Sequence, residues 1–161
     1  MIYVTSDLHG IALSQLQLLL QKANFSTEDT LFVLGDSIDR GEHGLDLLLW
    51  MMEQPNVTLL LGNHEGMLLA CDFLFRTIGE DTADSITYEQ MNALTHWMQN
   101  GAEPTLASLR ALHQSAPEKL YDLLDYLRDA PLYAAVTAGK KDFILTHAGL
   151  GHFEAQKKLS A

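Results

Sequence analysis

Apolar residues in the first 65 positions alternate between short strand-like runs and the wider spacing of helices. This pattern predicts strands at 2–6, 31–34 and 57–61, with helices at 13–23 and 45–52 between them. Strand and helix repeats of this length predict a parallel sheet with right-handed crossovers. The residues that follow each strand then lie at the carboxyl edge of the sheet, where open α/β folds bind ligands.

Between residues 67 and 128 the spacing of the apolar residues is helical, and we interpret this part as a helical insertion or cap. Glycine and proline breaks divide it into predicted helices at 67–78, 88–99, 104–113 and 117–128. Two apolar runs, 131–136 and 142–146, then predict a β-hairpin. The sequence therefore predicts one α/β domain over residues 1–161.

Composition narrows the class of protein. The chain has 161 residues, of which 47% are apolar, and this is enough for one domain with a real core. Its net charge of −11 argues against nucleic acid or an anionic membrane surface as the principal partner. No apolar run approaches the ~20 residues that span a bilayer. The single cysteine, Cys71, permits no internal disulfide, so we expect a cytoplasmic protein with a buried structural thiol.

Polar side chains follow four of the predicted strands. Residues 35–41 carry two carboxylates and a guanidinium, more polar groups than a packed core accepts unless they bind something charged. Asp7 and His9 are two positions apart, so on an extended strand end they would share one face and grip one ion. The other two segments are Asn63-His64-Glu65 and Thr146-His147. Each segment alone also fits a structural explanation, such as a surface pair or a helix N-cap at Asn63.

Together the four segments resemble the calcineurin-like metallophosphoesterases, and within them the phosphoprotein phosphatase family. The motifs are Asp-x-His, Gly-Asp-x-x-Asp-Arg-Gly, Gly-Asn-His-Glu and His-Ala-Gly, and the match covers nearly the whole chain. They look most like the compact bacterial and phage Ser/Thr protein phosphatases. Trp97 to Thr105 is also similar to a Trp-x-x-Asn-Gly-Gly…Thr segment, although Ala102 replaces the second glycine. The resemblance implies an αββα fold, a β-sandwich flanked by helices.

The resemblance also implies two divalent metal ions, Mn²⁺ first and Fe or Zn²⁺ as alternatives, whose bridging hydroxide attacks the phosphate. Asp7 and His9 would hold the first ion, and Asp36 would bridge both. The second ion would be held by Asn63 and His147. Arg40 and Asn63 would contact the phosphate. His64 would protonate the leaving oxygen, with Asp39 orienting its imidazole.

This sequence departs from the family pattern after His147. The family carries a later histidine ligand and further strands, whereas this chain ends at Ala161. We therefore expect a C-terminally truncated chain with a weak second metal site and an incomplete second sheet. His152 is the one nearby candidate for the absent ligand. An exposed sheet edge recruits other chains, so we also expect self-association.

Three functions remain open from the sequence. The first is a phosphatase acting on phosphoserine or phosphothreonine in proteins. The second is a small-molecule phosphoesterase such as a dinucleoside polyphosphate hydrolase, against which Glu65 counts, because those relatives typically carry aspartate after the Asn-His pair. The third is a catalytically weak remnant that binds metal or another molecule.

Overall fold

The computed structural model describes residues 1–75 and 86–149 of the chain. The strands are β1 (Ile2–Thr5), β2 (Thr30–Leu34), β3 (Val57–Leu60), β4 (Tyr133–Ala138) and β5 (Lys141–Thr146). The helices are α1 (Leu13–Lys22), α2 (Gly44–Glu53), α3 (Asn63–Ala70), α4 (Tyr88–Gln99), α5 (Glu103–Ser115) and α6 (Pro117–Asp129), with a 3₁₀ turn at Asp72–Phe75. The predicted α/β fold class is confirmed.

The first three strands form a parallel sheet in the order β1-β2-β3. Their short apolar runs suit this position, because parallel strands are covered on their faces by crossover helices. Leu31 and Val33 of β2 and Leu59 of β3 are buried. The three strands end at the same edge of the sheet, and the polar segments that follow them start there.

The first predicted helix of the helical part, 67–78, differs from the structure at both ends, because α3 ends at Ala70 and a separate 3₁₀ turn follows it. Helix α3 begins at Asn63, and not at residue 67, and the expected N-cap residue is its first helical residue. Gly62 is the N-cap, and its N–H donates to the Glu65 carboxylate at 3.1 Å. A carboxylate at the third helical position satisfies an unpaired N–H at the start of a helix, so the polar motif itself starts α3. Positions 76–78 of the predicted helix lie outside the described residues.

The predicted hairpin is confirmed as β4 and β5, which pair antiparallel. Tyr133 lies opposite Thr146 at one end of the hairpin, and Ala138 lies opposite Lys141 at the other. Among the described residues these two strands form a sheet of their own. The chain leading into β4 joins β3 through the N–H of Leu61, which donates to Pro131 O at 2.9 Å. Several large apolar side chains of the hairpin region are exposed, namely Leu132, Tyr133, Phe143 and Ile144. Self-association through this region stays a prediction, and His152 lies outside the described residues.

The apolar core lies between the parallel sheet and the helices. Helix α6 shows the pattern most clearly, because its buried leucines recur at helical spacing, at Leu120, Leu123, Leu124 and Leu127. Cys71 and Phe75 of the chain after α3 and Trp97 of α4 belong to the same buried cluster. Within the described residues, no helix combines the length and the apolar character that crossing a bilayer requires.

We predict that Cys71 is unreactive in the folded protein. Burial raises the pKa of its thiol to about 11, so the reactive thiolate is rare near pH 8. Disulfide-exchange reagents should label the native chain about two orders of magnitude more slowly than the chain unfolded in urea. Because the chain has one cysteine, the label reports on this position alone. Equal rates in both states would contradict the buried thiol.

Candidate metal and phosphate site

The site is built on backbone that turns sharply after β1 and β2. Five of its residues have positive φ although none is glycine, namely Asp7, His9, Asp36, Asp39 and Arg40. The expectation that Asp7 and His9 share a face of an extended strand end is wrong, because β1 ends at Thr5 and both residues are left-handed. The turn still places His9 Nε2 3.9 Å from Asp7 Oδ1. Left-handed backbone costs about 1–2 kcal/mol per residue, so other contacts must hold it.

Backbone hydrogen bonds hold the loop after β1 against the loop after β2. The N–H groups of His9 and Gly10 donate to Asp36 O and Ser37 O at 2.9 Å each, and the Gly41 N–H returns a bond to His9 O at 3.1 Å. Gly10 and Gly41 make this approach possible. A Cβ atom on Gly10 would lie 2.4 Å from the carbonyl oxygen of Gly41, closer than any real contact. The glycine of the Asp-x-x-Asp-Arg-Gly segment is thus a packing requirement.

Two imidazoles face the Asp36 carboxylate in a fixed orientation. His9 Nδ1 lies 3.2 Å from Ile38 O and His147 Nδ1 lies 2.6 Å from Leu34 O. Because a carbonyl only accepts, each Nδ1 carries a proton and donates. The Nε2 atoms then point toward Asp36, at 3.9 Å from Oδ2 for His9 and 3.4 Å from Oδ1 for His147. A histidine held by its second nitrogen in this way is typical of metal ligands.

The surroundings of His147 provide a test of whether a metal ion fits. Its Nε2 atom lies 2.8 Å from Asn63 Oδ1 and 3.4 Å from Asp36 Oδ1, so it faces two oxygen acceptors. With Nδ1 already donating, a neutral imidazole would present a lone pair to those oxygens. A cation beside the three atoms removes this repulsion. The donor set of imidazole, amide and carboxylate suits borderline-hard divalent ions.

His64 has a different position from the other two histidines. The ligand atoms of His9, Asp36 and His64 lie within 4.8 Å of one another, close enough to hold one ion. His64 Nε2 is, however, 3.3 Å from Arg40 Nη2, and Nδ1 is 2.6 Å from Asp39 Oδ2. An Nε2 lone pair that accepts from a guanidinium is not open to a metal at the same time. Proton transfer at Nε2 and metal ligation there are therefore alternatives.

Asp39 and His64 form a buried ionisable pair that is shielded from solvent. Asp39 is fully buried and His64 is 1% exposed. The indole N–H of Trp97 donates to the same Asp39 oxygen at 2.9 Å, and the Asp39 N–H donates to Thr105 Oγ1 at 2.9 Å. Sequence reasoning noted the segment from Trp97 to Thr105 only as a resemblance and gave these residues no role. Its Trp-x-x-Asn-Gly spacing was the available signal.

Glu65 lies behind the site and not in it. Its carboxylate has no exposed surface and accepts three backbone N–H groups, from Asp36 and Ser37 at 2.8 Å and from Gly62 at 3.1 Å. Burial raises the pKa of the Glu65 carboxyl, and the hydrogen bonds from the backbone oppose this rise. The Asp36 side chain in turn accepts from the His64 N–H at 3.1 Å. Glu65 thus binds the loop after β2 to the start of α3.

The structure brings all the predicted site residues to one edge of the parallel sheet. Each lies within 4 Å of another member of the set, which comprises Asp7, His9, Asp36, Asp39, Arg40, Asn63, His64 and His147. His43, by contrast, is half-exposed and pairs with Asp46 at 3.1 Å. It is a surface histidine outside the cluster.

Comparison with known proteins identifies the family. The family model of the calcineurin-like phosphoesterases matches residues 1–159. The chain belongs to this family. The resemblance stated from the motifs is therefore confirmed at the level of the family, and metal-dependent hydrolysis of phosphoesters is the chemistry of its members.

Curated relatives carry a narrower name. The chain is similar to the symmetrical bis(5'-nucleosyl)-tetraphosphatase of Actinobacillus pleuropneumoniae serotype 3, with 30% identity over 92% of this chain and 44% of the relative. The protein of that name from Vibrio cholerae is 31% identical over the same shares. This chain therefore spans less than half the length of these relatives.

The chain is also similar to parts of solved structures. A metallophosphoesterase from Sphaerobacter thermophilus superposes with a TM-score of 0.42 and 22% identity, over 83% of this chain and 41% of that one. A cold-active protein-tyrosine phosphatase from a Shewanella species gives a TM-score of 0.43 and 22% identity, over 82% and 40%.

We predict that Glu65→Gln destabilises the fold. Glutamine replaces one carboxylate oxygen by an NH2 group that cannot accept from the backbone N–H groups, and hydrogen bonds to a charged acceptor are worth about 1.5–3 kcal/mol. Urea unfolding should show a loss of free energy in that range. Glu53→Gln is the matched control, because Glu53 is exposed at the end of α2 and its change should stay within about 0.5 kcal/mol. Equal stability of the two variants would contradict a stabilising role of the three hydrogen bonds to Glu65.

Proposed function

We propose that this chain is a metal-dependent phosphatase whose substrates are phosphoserine and phosphothreonine side chains of proteins. The buried pair of Asp39 and His64 carries this proposal. The Asp39 carboxylate lies 2.6 Å from His64 Nδ1 and holds the ring so that Nε2 faces the site, where a proton on Nε2 would replace its contact with Arg40 Nη2. General acid catalysis matters most where the leaving group is a poor one, and serine and threonine alkoxides are poor leaving groups.

Two divalent ions fit the donor set. Asp7, His9 and Asp36 would hold one ion. Asp36 would also contact the second, with Asn63 and His147. Imidazole and oxygen donors suit Mn²⁺, and also Fe or Zn²⁺. When bound, the ions activate the attacking water and offset the charge of the phosphate.

The protein's own side chains complete the reaction. Arg40 offers a forked guanidinium to two phosphate oxygens, and Asn63, which is exposed at the same edge, offers its amide. Water adds to phosphorus while the bond from phosphorus to the leaving oxygen breaks, and the proton that the water loses passes to the phosphate product or to solvent. The leaving oxygen takes a proton from His64 Nε2, while Asp39 accepts the Nδ1–H and keeps the ring in place.

A dinucleoside tetraphosphate is the second candidate substrate, and the names of the curated relatives favour it. Glu65 no longer counts against it, because this side chain is buried and bonds to backbone, so it does not contact a substrate. The two candidates differ in chemistry. Splitting the tetraphosphate releases a nucleoside diphosphate, a stable anion that needs little protonation, so His64 would matter less.

We predict that Mn²⁺ stabilises the folded chain. Metal that binds only the native state adds about 2.7 kcal/mol to the free energy of unfolding at a hundredfold excess over Kd. Thermal unfolding with and without Mn²⁺ should show a higher midpoint for the wild type and almost no shift for Asp36→Asn. Asp122→Asn, which changes an exposed carboxylate of α6, should keep the full shift. Absence of a shift in the wild type would contradict metal binding.

We also predict that His64→Asn lowers turnover of a phosphoserine peptide by about 10²–10⁴ and leaves metal content unchanged. Turnover of a nitrophenyl phosphate should fall much less, since its leaving group is already a weak base. His43→Asn, a half-exposed histidine outside the cluster, is the control. Arg40→Ala should weaken inhibition by phosphate.

Three results would change the proposal. Preference for a dinucleoside tetraphosphate over the phosphopeptide would replace the first candidate by the second. Loss of metal in His64→Asn in step with activity would make His64 a ligand and not the acid. No Mn²⁺-dependent turnover of phosphopeptide, tetraphosphate or nitrophenyl phosphate would contradict the function itself.

A further inference from the structure

The end of α4 and the start of α5 meet the loop after β2 at three points. We call residues 97–105 the α4–α5 corner. The Trp97 indole N–H donates to Asp39 Oδ2 at 2.9 Å. The Asp39 N–H donates to Thr105 Oγ1 at 2.9 Å, and the Arg40 N–H donates to Gly101 O at 2.8 Å. All three contacts are made to Asp39, the proposed partner of His64, and to Arg40, the proposed phosphate-binding residue.

Asp39 and Arg40 need such support because their backbone is strained. Their φ angles are 69° and 67°, in the left-handed region that residues other than glycine rarely adopt. Two consecutive residues in this region persist only where surrounding structure holds them. The Thr105 hydroxyl and the Gly101 carbonyl accept both of their N–H groups, so the α4–α5 corner fixes the direction in which Arg40 leaves the chain.

The side chain of Asp39 is fixed in the same way. Its Oδ2 atom receives both the His64 Nδ1–H and the Trp97 indole N–H, whereas Oδ1 has no hydrogen-bond partner among the described residues. Trp97 is fully buried in the core, so its ring cannot turn away. The indole N–H therefore selects which oxygen of Asp39 faces His64.

We propose that Trp97 and Thr105 are positioning residues of the active site. Trp97 fixes the Asp39 carboxylate that orients His64, and Thr105 fixes the backbone that carries Arg40. This inference rests on the proposed function for its kinetic consequence. A residue that only packs the core would affect all substrates equally, whereas loss of acid alignment affects substrates with poor leaving groups most.

The first experiment compares Trp97→Phe with Trp50→Phe, which changes the other tryptophan, a partly buried residue of α2. With Mn²⁺ present, kcat for an alkyl phosphate should fall about tenfold or more in Trp97→Phe, and kcat for a nitrophenyl phosphate about threefold or less, with little change in KM. Trp50→Phe should preserve the ratio of the two. Equal losses on both substrates in Trp97→Phe would overturn the proposal.

A second measurement needs neither metal nor turnover. In the metal-free protein, proton NMR with ¹⁵N-labelled histidine observes the His64 Nδ1–H. Its resonance should shift and broaden in Trp97→Phe and stay in place in Trp50→Phe. An unchanged resonance in Trp97→Phe would overturn the proposal, even if the wild type hydrolyses none of the substrates and the proposed function fails.

Trp97→Phe removes ring volume as well as the N–H, so a closer replacement guards against a folding defect. In the Trp50→Phe background, biosynthetic replacement of the remaining tryptophan by benzothienylalanine exchanges the indole N–H for sulfur and keeps the ring size. The same NMR shift is expected there. A resonance identical to that of the background would overturn the role of the indole N–H.

Thr105 is tested through phosphate binding. Thr105→Val removes the acceptor of the Asp39 N–H and keeps the shape, and should weaken inhibition by phosphate about tenfold. Thr105→Ser, which keeps the hydroxyl, should restore most of the affinity. Equal phosphate affinities in Thr105→Val and the wild type, or failure of serine to restore a lost affinity, would overturn this part.

Discussion

A single buried carboxylate connects the elements on which the site depends. Glu65 accepts the N–H groups of Asp36 and Ser37 from the loop after β2 and of Gly62 from the end of β3. The three residues that carry these groups are buried, so without the carboxylate their N–H groups would lose their hydrogen-bond acceptor inside the protein. The same bond pattern starts α3 and thereby sets the position of His64. Asp36 and His64 are thus held in one frame by a carboxylate that bonds only to backbone N–H groups of the site.

Hydrogen bonds hold the strained backbone around this frame. Five site residues that are not glycine adopt left-handed backbone, and hydrogen bonds from neighbouring segments hold each strained loop in place. The loop after β1 is held by backbone bonds to the loop after β2, and the Asp39-Arg40 pair is held by the α4–α5 corner. The helical part of the chain therefore also fixes the backbone of Asp39 and Arg40.

The sequence predicts the parts of this structure that local pattern controls. Apolar periodicity located the strands, the hairpin and five of the six helices, and the strand ends located every member of the polar cluster. It missed the start of α3, because that start depends on a turn chemistry that overrides apolar spacing. It also missed the roles of Glu65, Trp97 and Thr105. Trp97 contacts Asp39 across 58 positions and Thr105 across 66, and no local pattern encodes contacts of that range.

The exposure of the side chains differs between the two sides of the site. Asp7 and Asn63 are exposed, so this side of the cluster is open to solvent, whereas Asp39 and His64 are buried. Electrostatic interactions are stronger where water is excluded, so the contact between Asp39 and His64 is held more rigidly than the exposed side chains are. His147 is partly exposed and directly follows β5 of the hairpin, and its ring bonds to Leu34 O of β2 and approaches Asn63 of α3. Because His147 links the two sheets at the ligand cluster, an ion bound there would also tie the hairpin to the parallel sheet.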